Sequence, residues 1–183
     1  MKVKDILLAA AVRLGIEDGA KAYFNGTSSE CERECDLLLN CFHSVENALA
    51  LDYFPLYAEE VLRTATGAIQ FSAFSHSPVR ILSVKNQKGE EISYSLYPKY
   101  LKTGAGTFTV TYTYTPEKST LDGEASFALS VPERLVVYGV LAEYCMAEAR
   151  FEEGTVWEKK YKNAIDKLYK QGTCTRLRSR IWA

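Results

Sequence analysis

Long apolar runs are missing from this sequence. None approaches the ~18–20 residues that a membrane span requires, so no membrane-spanning helix and no membrane partner are predicted. The opening Met1-Lys2-Val3-Lys4 and the apolar stretch from Ile6 to Val12 have the outline of a secretory signal, but Asp5 precedes the stretch and Arg13 closes it. An amphipathic helix is expected there instead. Histidine is scarce: only His43 and His76 occur, which leaves a thiol nucleophile or a zinc site short of nitrogen partners. A glycine-rich phosphate loop is also lacking. Gly104-Ala105-Gly106 leads into a strand pattern and has no helix N-terminus behind it to hold an anion.

Cysteine is present but in an odd number, five, and mostly at helical core positions, which predicts free thiols in a reducing compartment. Cys31, Cys35, Cys41 and His43 look at first like a metal cluster. Cys31 and Cys35, however, lie on the apolar stripe of a helix, and His43 is rotated away from it at about 100° per residue. His76 sits in a polar turn, Ser75-His76-Ser77-Pro78, and the carboxylate pairs Glu59-Glu60, Glu90-Glu91 and Glu152-Glu153 lie beside turns or element ends, where solvated charge is ordinary. No catalytic residue, metal ligand or cofactor is predicted.

What is abundant is helical periodicity at both ends of the chain. Val3, Ile6, Leu7, Ala10 and Leu14 mark a first helix stopped at Gly15, and the segment Ile16 to Gly26 reads as a loop. A second helix is expected from a Ser29 cap through Cys31, Cys35, Leu38, Phe42, Val45 and Leu49, ending near Asp52. Ser130-Val131-Pro132-Glu133 reads as a capping box opening a helix buried on more than one side, through Leu135, Tyr138, Ala142, Cys145 and Ala149 to a stop at Gly154. A second box at Thr155 to Glu158 opens the last helix, with Trp157, Tyr161, Ala164, Ile165 and Leu168 as its stripe and Gly172 as its stop.

Between these pairs the period changes to two. Val79 to Lys85 reads as a strand, Asn86 to Gly89 as a turn, and Glu91 to Tyr97 as the return strand with Ile92, Tyr94 and Leu96 inward. Thr107 to Thr115 alternates threonine with bulky residues, which predicts an antiparallel sheet with one solvated face; Ile69 to Phe74 is a further candidate strand. The expected fold is therefore α+β: a four-helix bundle of two N-terminal and two C-terminal helices (residues 1–56 and 129–172), an inserted small antiparallel β lobe with its linker (57–128), and a C-terminal extended arm (173–183).

Charge is unevenly spread. Up to Trp157 there are 14 Lys/Arg against 21 Asp/Glu, and from Glu158 onward 8 against 2. A basic end on an acidic body suits docking to an acidic partner or to another copy of the chain, although a solvated lysine face on the last helix accounts for the lysines alone. In the arm, Arg176, Arg178 and Arg180 share one side if extended, with Leu177 and Ile181 opposite and Trp182 near the end. Arginine and tryptophan are the residues of interface hot spots, so Arg176, Arg178, Arg180, Ile181 and Trp182 are the candidate interface. The same basic helix and arm, with Tyr169 and Trp182 as stacking rings, also fit a nucleic-acid-binding module.

In layout the chain resembles the head–tail connector (adaptor) proteins of tailed bacteriophages. The likeness is carried by the N-terminal helix, the helix ending in Ala50-Leu51-Asp52-Tyr53, the β insertion, Leu129-Ser130-Val131-Pro132-Glu133 leading into Tyr138 to Cys145, the Trp157, Tyr161 and Leu168 spacing, and the arginine-containing arm ending in an aromatic. The resemblance implies a non-enzymatic virion protein of the neck. It would form a ring of twelve copies under the portal protein, meet a downstream tail or neck protein, and line the path of genomic DNA without reading its sequence.

Overall fold

The computed structural model describes residues 1–127 and 131–172, and of these the side chains up to Leu168. The class is mixed α+β. The described residues form five helices, α1 (Val3–Leu14), α2 (Glu17–Phe24), α3 (Glu32–Ala48), α4 (Glu133–Ala147) and α5 (Phe151–Gly172), and two small antiparallel sheets. The chain divides into two compact units. One holds Met1–Val45, Leu121–Gly123 and the residues from Val131; the other holds Glu46–Thr120 and the residues from Glu124.

In the helical unit, α1 ends as expected at Gly15, whose φ of 76° lies in the left-handed region that glycine enters without cost. The N-terminus of α1 is held by chain from far along the sequence: the Val3 and Lys4 N–H groups donate to the carbonyls of Gly123 and Leu121. These are donors that a helix start leaves without intrahelical acceptors, so two residues of the expected linker serve as a helix cap. The expected loop at Ile16–Gly26 is instead largely α2. Ala20 and Phe24, four residues apart, are buried, and Glu17 and Asp18 sit in the first turn. Gly19 allows the approach, since a Cβ there would lie 2.2 Å from Cys31 Sγ.

The turn between the last two helices falls earlier than the glycine pattern predicts. α4 stops at Ala147, and Ala149, not a glycine, takes the left-handed conformation (φ 56°). The Arg150 N–H donates to the Cys145 carbonyl and the Ala149 N–H to that of Met146, the two closing bonds of a Schellman turn. Gly154 lies inside α5, where a Cβ would stand 3.1 Å from the Met146 sulfur; it serves close helix packing. The Thr155 hydroxyl donates back to the Phe151 carbonyl within the helix and caps nothing. At the other end Pro132 is the N-cap, with no side-chain capping bond, and Ser130 lies outside the described residues. α4 is the central helix, buried from Leu135 to Cys145 on most sides and packed against α1 and α5.

In the second unit, α3 gives way to a π-helical turn, Leu49–Tyr53, closed by the Phe54 N–H on the Leu49 carbonyl. The strands are β1 (Leu56–Thr64), β2 (Ala68–Gln70), β3 (Pro78–Asn86), β4 (Ser95–Leu96), β5 (Tyr100–Lys102) and β6 (Gly106–Tyr114). The first sheet has the order β1-β6-β3 and the second β2-β5-β4. β6 pairs with β1 without a break from Leu56↔Tyr114 to Thr64↔Gly106, and with β3 through two irregularities, around Val79 and Leu82. Ile69, Phe74, Ile81, Val84, Leu101, Phe108, Val110 and Tyr112 form one core shared by the two sheets.

Two strand expectations are corrected. Ile69 to Phe74 supplies only β2 before a short 3₁₀ turn, Phe71–Ala73. Glu91 to Tyr97 does not return along β3: it makes a single bridge, Lys85↔Glu91, plus the Ile92 N–H bond to Val84. Ile92 and Tyr94 still pack on the core, Tyr94 donating its hydroxyl to the Ile81 carbonyl, but Leu96 is 58% exposed. The cause is Pro98. The turn it occupies brings the Tyr97 N–H onto the Tyr100 carbonyl and stacks the two rings at 4.7 Å, which directs the chain to β5.

Candidate functional site

Of the four cysteines among the described residues, three settle into cores, and Cys174 lies outside those residues. Cys35 and Cys41 are buried on α3 and Cys145 on α4, while Cys31 is half-buried. Burial pushes the thiol of Cys35 up to about 11 and that of Cys41 up to about 12, the latter helped by Glu143 nearby. Both stay protonated at neutral pH, which makes them packing groups and poor nucleophiles. Among the described residues no three His, Cys, Asp or Glu side chains converge on a metal position.

Glu60 does more than its place in a charged pair suggests. It accepts the Tyr112 hydroxyl and, through its two oxygens at 3.1 and 3.2 Å, the Ser75 N–H. Burial alone would push its carboxyl up; the bonds from Tyr112 and Ser75, with His76 close by, hold it below the usual carboxylate range. Tyr112 is pushed up to about 12 by burial and by Glu60. His76 lies in its predicted turn and stacks on Tyr114 at 4.2 Å. These contacts tie the turn before β3 to the sheet. Glu46, on the apolar stripe's flank in the sequence, is buried, accepting the Ser126 N–H at 2.7 Å and the Ser119 hydroxyl at 3.3 Å. Both carboxylates are structural anchors that hydropathy does not reveal.

The open surfaces are more informative. On β6 the threonines share the face opposite the core, as predicted, and a hydrogen-bonded row crosses it: Ser83 to Thr111 at 3.3 Å and Thr111 to Glu59 at 3.2 Å. Alongside them Tyr57 and Val61 of β1 stand 63% and 70% exposed, with Val79 and Leu82 at the β3 irregularities. Tyr57, Val79, Leu82 and Leu51 border a pit of about 160 Å³. That face is solvated as expected: Glu59 and Arg63 of β1 and Ser83 and Lys85 of β3 share it with the threonines, and the exposed apolar side chains gather at the end around the pit.

In the helical unit a groove of about 470 Å³ runs between the start of α4 and the second half of α5. Its floor is Leu135, Ala164 and Leu168; its rim carries Arg134, Lys160 and Lys167, and among the described residues no carboxylate lines it. Tyr138 and Trp157 meet at 5.7 Å, and cations cover both rings: the Arg134 guanidinium lies 5.3 Å from Tyr138 and donates to its hydroxyl at 2.6 Å, and Lys160 lies 3.9 Å over Trp157. Sequence reasoning placed Tyr138 and Trp157 on core stripes but missed Arg134, Lys160 and Lys167. Their spacing was legible, since Lys160, Asn163, Ala164 and Lys167 recur at helical steps on one face. The chain matches no protein-family model and no curated protein, so the surfaces themselves carry the functional argument. The candidate interface residues Arg176, Arg178, Arg180, Ile181 and Trp182 lie outside the described residues.

Proposed function

We propose that this chain is a structural adaptor of a tailed-phage neck, a non-enzymatic ring protein that docks under a portal protein and joins the head to the tail. The observation that carries the reading is the cluster of exposed apolar side chains, Leu51, Tyr57, Val79 and Leu82, around a pit at one end of the sheet in one unit, with a basic-rimmed apolar groove in the other. Contiguous apolar surface of this kind marks sites of protein contact. A neck protein needs several such contacts at once: with its own copies, with the portal, and with the next neck or tail protein. In this reading the helices from both ends of the chain pack as the bundle that makes the ring wall. The arm bearing Arg176, Arg178, Arg180, Ile181 and Trp182 reaches the portal, and the acidic body keeps passing DNA from adhering. The cations and rings around the groove favour nucleic-acid binding as the second reading.

The deciding experiment is assembly in vitro. DNA-filled heads made without this protein should fail to join tails, and purified protein should restore joining and appear as a ring of twelve at the vertex. Heads that join tails equally well without it would refute the reading.

A further inference from the structure

The edges of the two sheets are not alike. β2 and β4, which bound the second sheet, are three and two residues long. β3 is interrupted twice along β6, and the chain from Asn86 to Ile92 folds along its other side, where the Ile92 N–H donates to the Val84 carbonyl. Short strands, irregularities and covering chain are the usual means of keeping an edge from pairing with another chain. β1 has none of them. It runs nine residues against β6 without a break and contains no proline and no lysine. Among the described residues nothing hydrogen-bonds to the backbone on its open side. Ala58, Glu60 and Leu62 face the core yet stay half-buried, whereas Phe108, Val110 and Tyr112 of the central β6 are buried. Glu60, the inward-pointing charge on this edge, is already engaged by Tyr112 and Ser75.

The outward face of this edge carries Tyr57, Glu59, Val61 and Arg63 in alternation, all exposed. Glu59 accepts the Thr111 hydroxyl through one oxygen, and among the described residues neither Glu59 nor Arg63 has an ion-pair partner. They cannot serve each other, since four residues of strand hold them about 13 Å apart.

We infer that two copies of the chain pair through β1, antiparallel, about a two-fold axis at Val61. Residues directly opposite in such a pair share a face of the sheet, so the axis must pass through a residue, and charge sign selects which. Centred on Val61, Glu59 of each copy lies opposite Arg63 of the other, with valine against valine between the two ion pairs. Centring on Glu59, Glu60 or Arg63 sets like charges directly opposite, which is destabilising. The remaining centres in β1 give no opposite-charge pair. The pairing covers Val61, 70% exposed in the single chain, and supplies partners to the backbone of the open edge. A two-fold contact joins two copies and stops there. It is therefore independent of the adaptor reading, whose ring needs an unlike contact.

The test is charge reversal in the full chain at these exposed positions. In sedimentation velocity at low salt the unaltered chain should pass from monomer to dimer with concentration, and high salt should weaken the dimer. Glu59→Arg alone and Arg63→Glu alone each oppose like charges twice per dimer, and each should dimerise at least tenfold more weakly. The two single variants mixed should pair with each other, and the double variant should pair with itself, both near the unaltered affinity, because opposite charges meet again. Val61→Lys, which sets two cations together at the axis, should weaken the dimer without touching either ion pair. Hydrogen exchange at β1 amides should slow as the dimer forms. The inference is overturned if the unaltered chain stays monomeric up to about 1 mM, where even a weak contact is half occupied. It is equally overturned if the single reversals leave association unchanged, or if the mixture and the double variant do not recover it. Slow exchange along β1 in the monomer, lost on removing residues 173–183, would put the chain's own arm on the edge and also refute it. Because head–tail joining is read on particles and this contact on purified protein, either can fail while the other stands.

Discussion

Ala149 sits where a helix end usually takes a glycine, with φ at 56°. The left-handed conformation costs a residue with a Cβ about 1–2 kcal/mol, partly offset by the greater freedom glycine has when unfolded. Ala149→Gly should therefore stabilise the protein by about 0.5–1 kcal/mol, read as a higher urea midpoint with unchanged slope. Gly139 is the opposite case. A Cβ there would lie 2.8 Å from Val45 Cγ1 and 3.0 Å from Tyr161 Cε2, so α3, α4 and α5 meet at that point. Gly139→Ala should cost about 1–3 kcal/mol as overpacking, and an unchanged midpoint would show that the helices can part freely. For Glu60 the sign follows from its depressed carboxyl: the stability it contributes is present above the ordinary carboxylate range and is lost as pH falls through its lowered value. Glu60→Gln should accordingly flatten the fall in unfolding midpoint between about pH 6 and 3.

At the scale of elements, the strands and helices are only as legible as their neighbours allow. β6 could be read from alternation because both of its faces obey one rule, threonine out and bulk in. The Glu91–Tyr97 stretch alternates as well, yet Pro98 and the Tyr97–Tyr100 turn send it to the other sheet. α2 was hidden because its apolar face is just Ala20 and Phe24, too short a signal to separate from a loop. α3 carries the buried thiols, and its prediction belongs to alkaline pH. Cys35 and Cys41 hold their protons to about 11 and about 12, whereas in the unfolded chain they ionise near 8.5. The unfolded state thus releases protons first, and stability should decline from about pH 8.5 upward. Cys41→Ala should make that decline shallower while lowering stability at neutral pH, checked by urea unfolding across the alkaline range.

For the whole molecule, the arm prediction follows from sequence alone. Arg176, Arg178 and Arg180 have no acidic neighbours between Thr173 and Ala183, so their carboxylates must come from elsewhere. In the adaptor reading they come from the portal, in charge-assisted and often bidentate pairs, with Trp182 as the anchor. Removing residues 173–183 should leave the thermal unfolding of the purified protein nearly unchanged and abolish its binding to portal rings. Unfolding of the truncated protein would instead place the arm in its own core, and unaltered portal binding would show that the arm makes no contact that matters.

By itself the sequence determined the α+β class, the first helix and its Gly15 stop, the α3 and α5 stripes, the burial of α4 on several sides and the two-faced β6. These depend on period and on hydrophobic burial, which are local properties of the chain. It could not decide where α4 turns into α5, since a glycine can serve as a stop or as a close-packing surface, and only the position of Met146 assigns Gly154 to the second. It could not show that Leu121 and Gly123 cap α1, that Glu46 and Glu60 anchor distant backbone, or that Arg134, Lys160 and Lys167 ring one apolar groove. Those are contacts between residues remote in sequence. They exist only once the apolar faces have found each other, and hydropathy records burial without recording the neighbour.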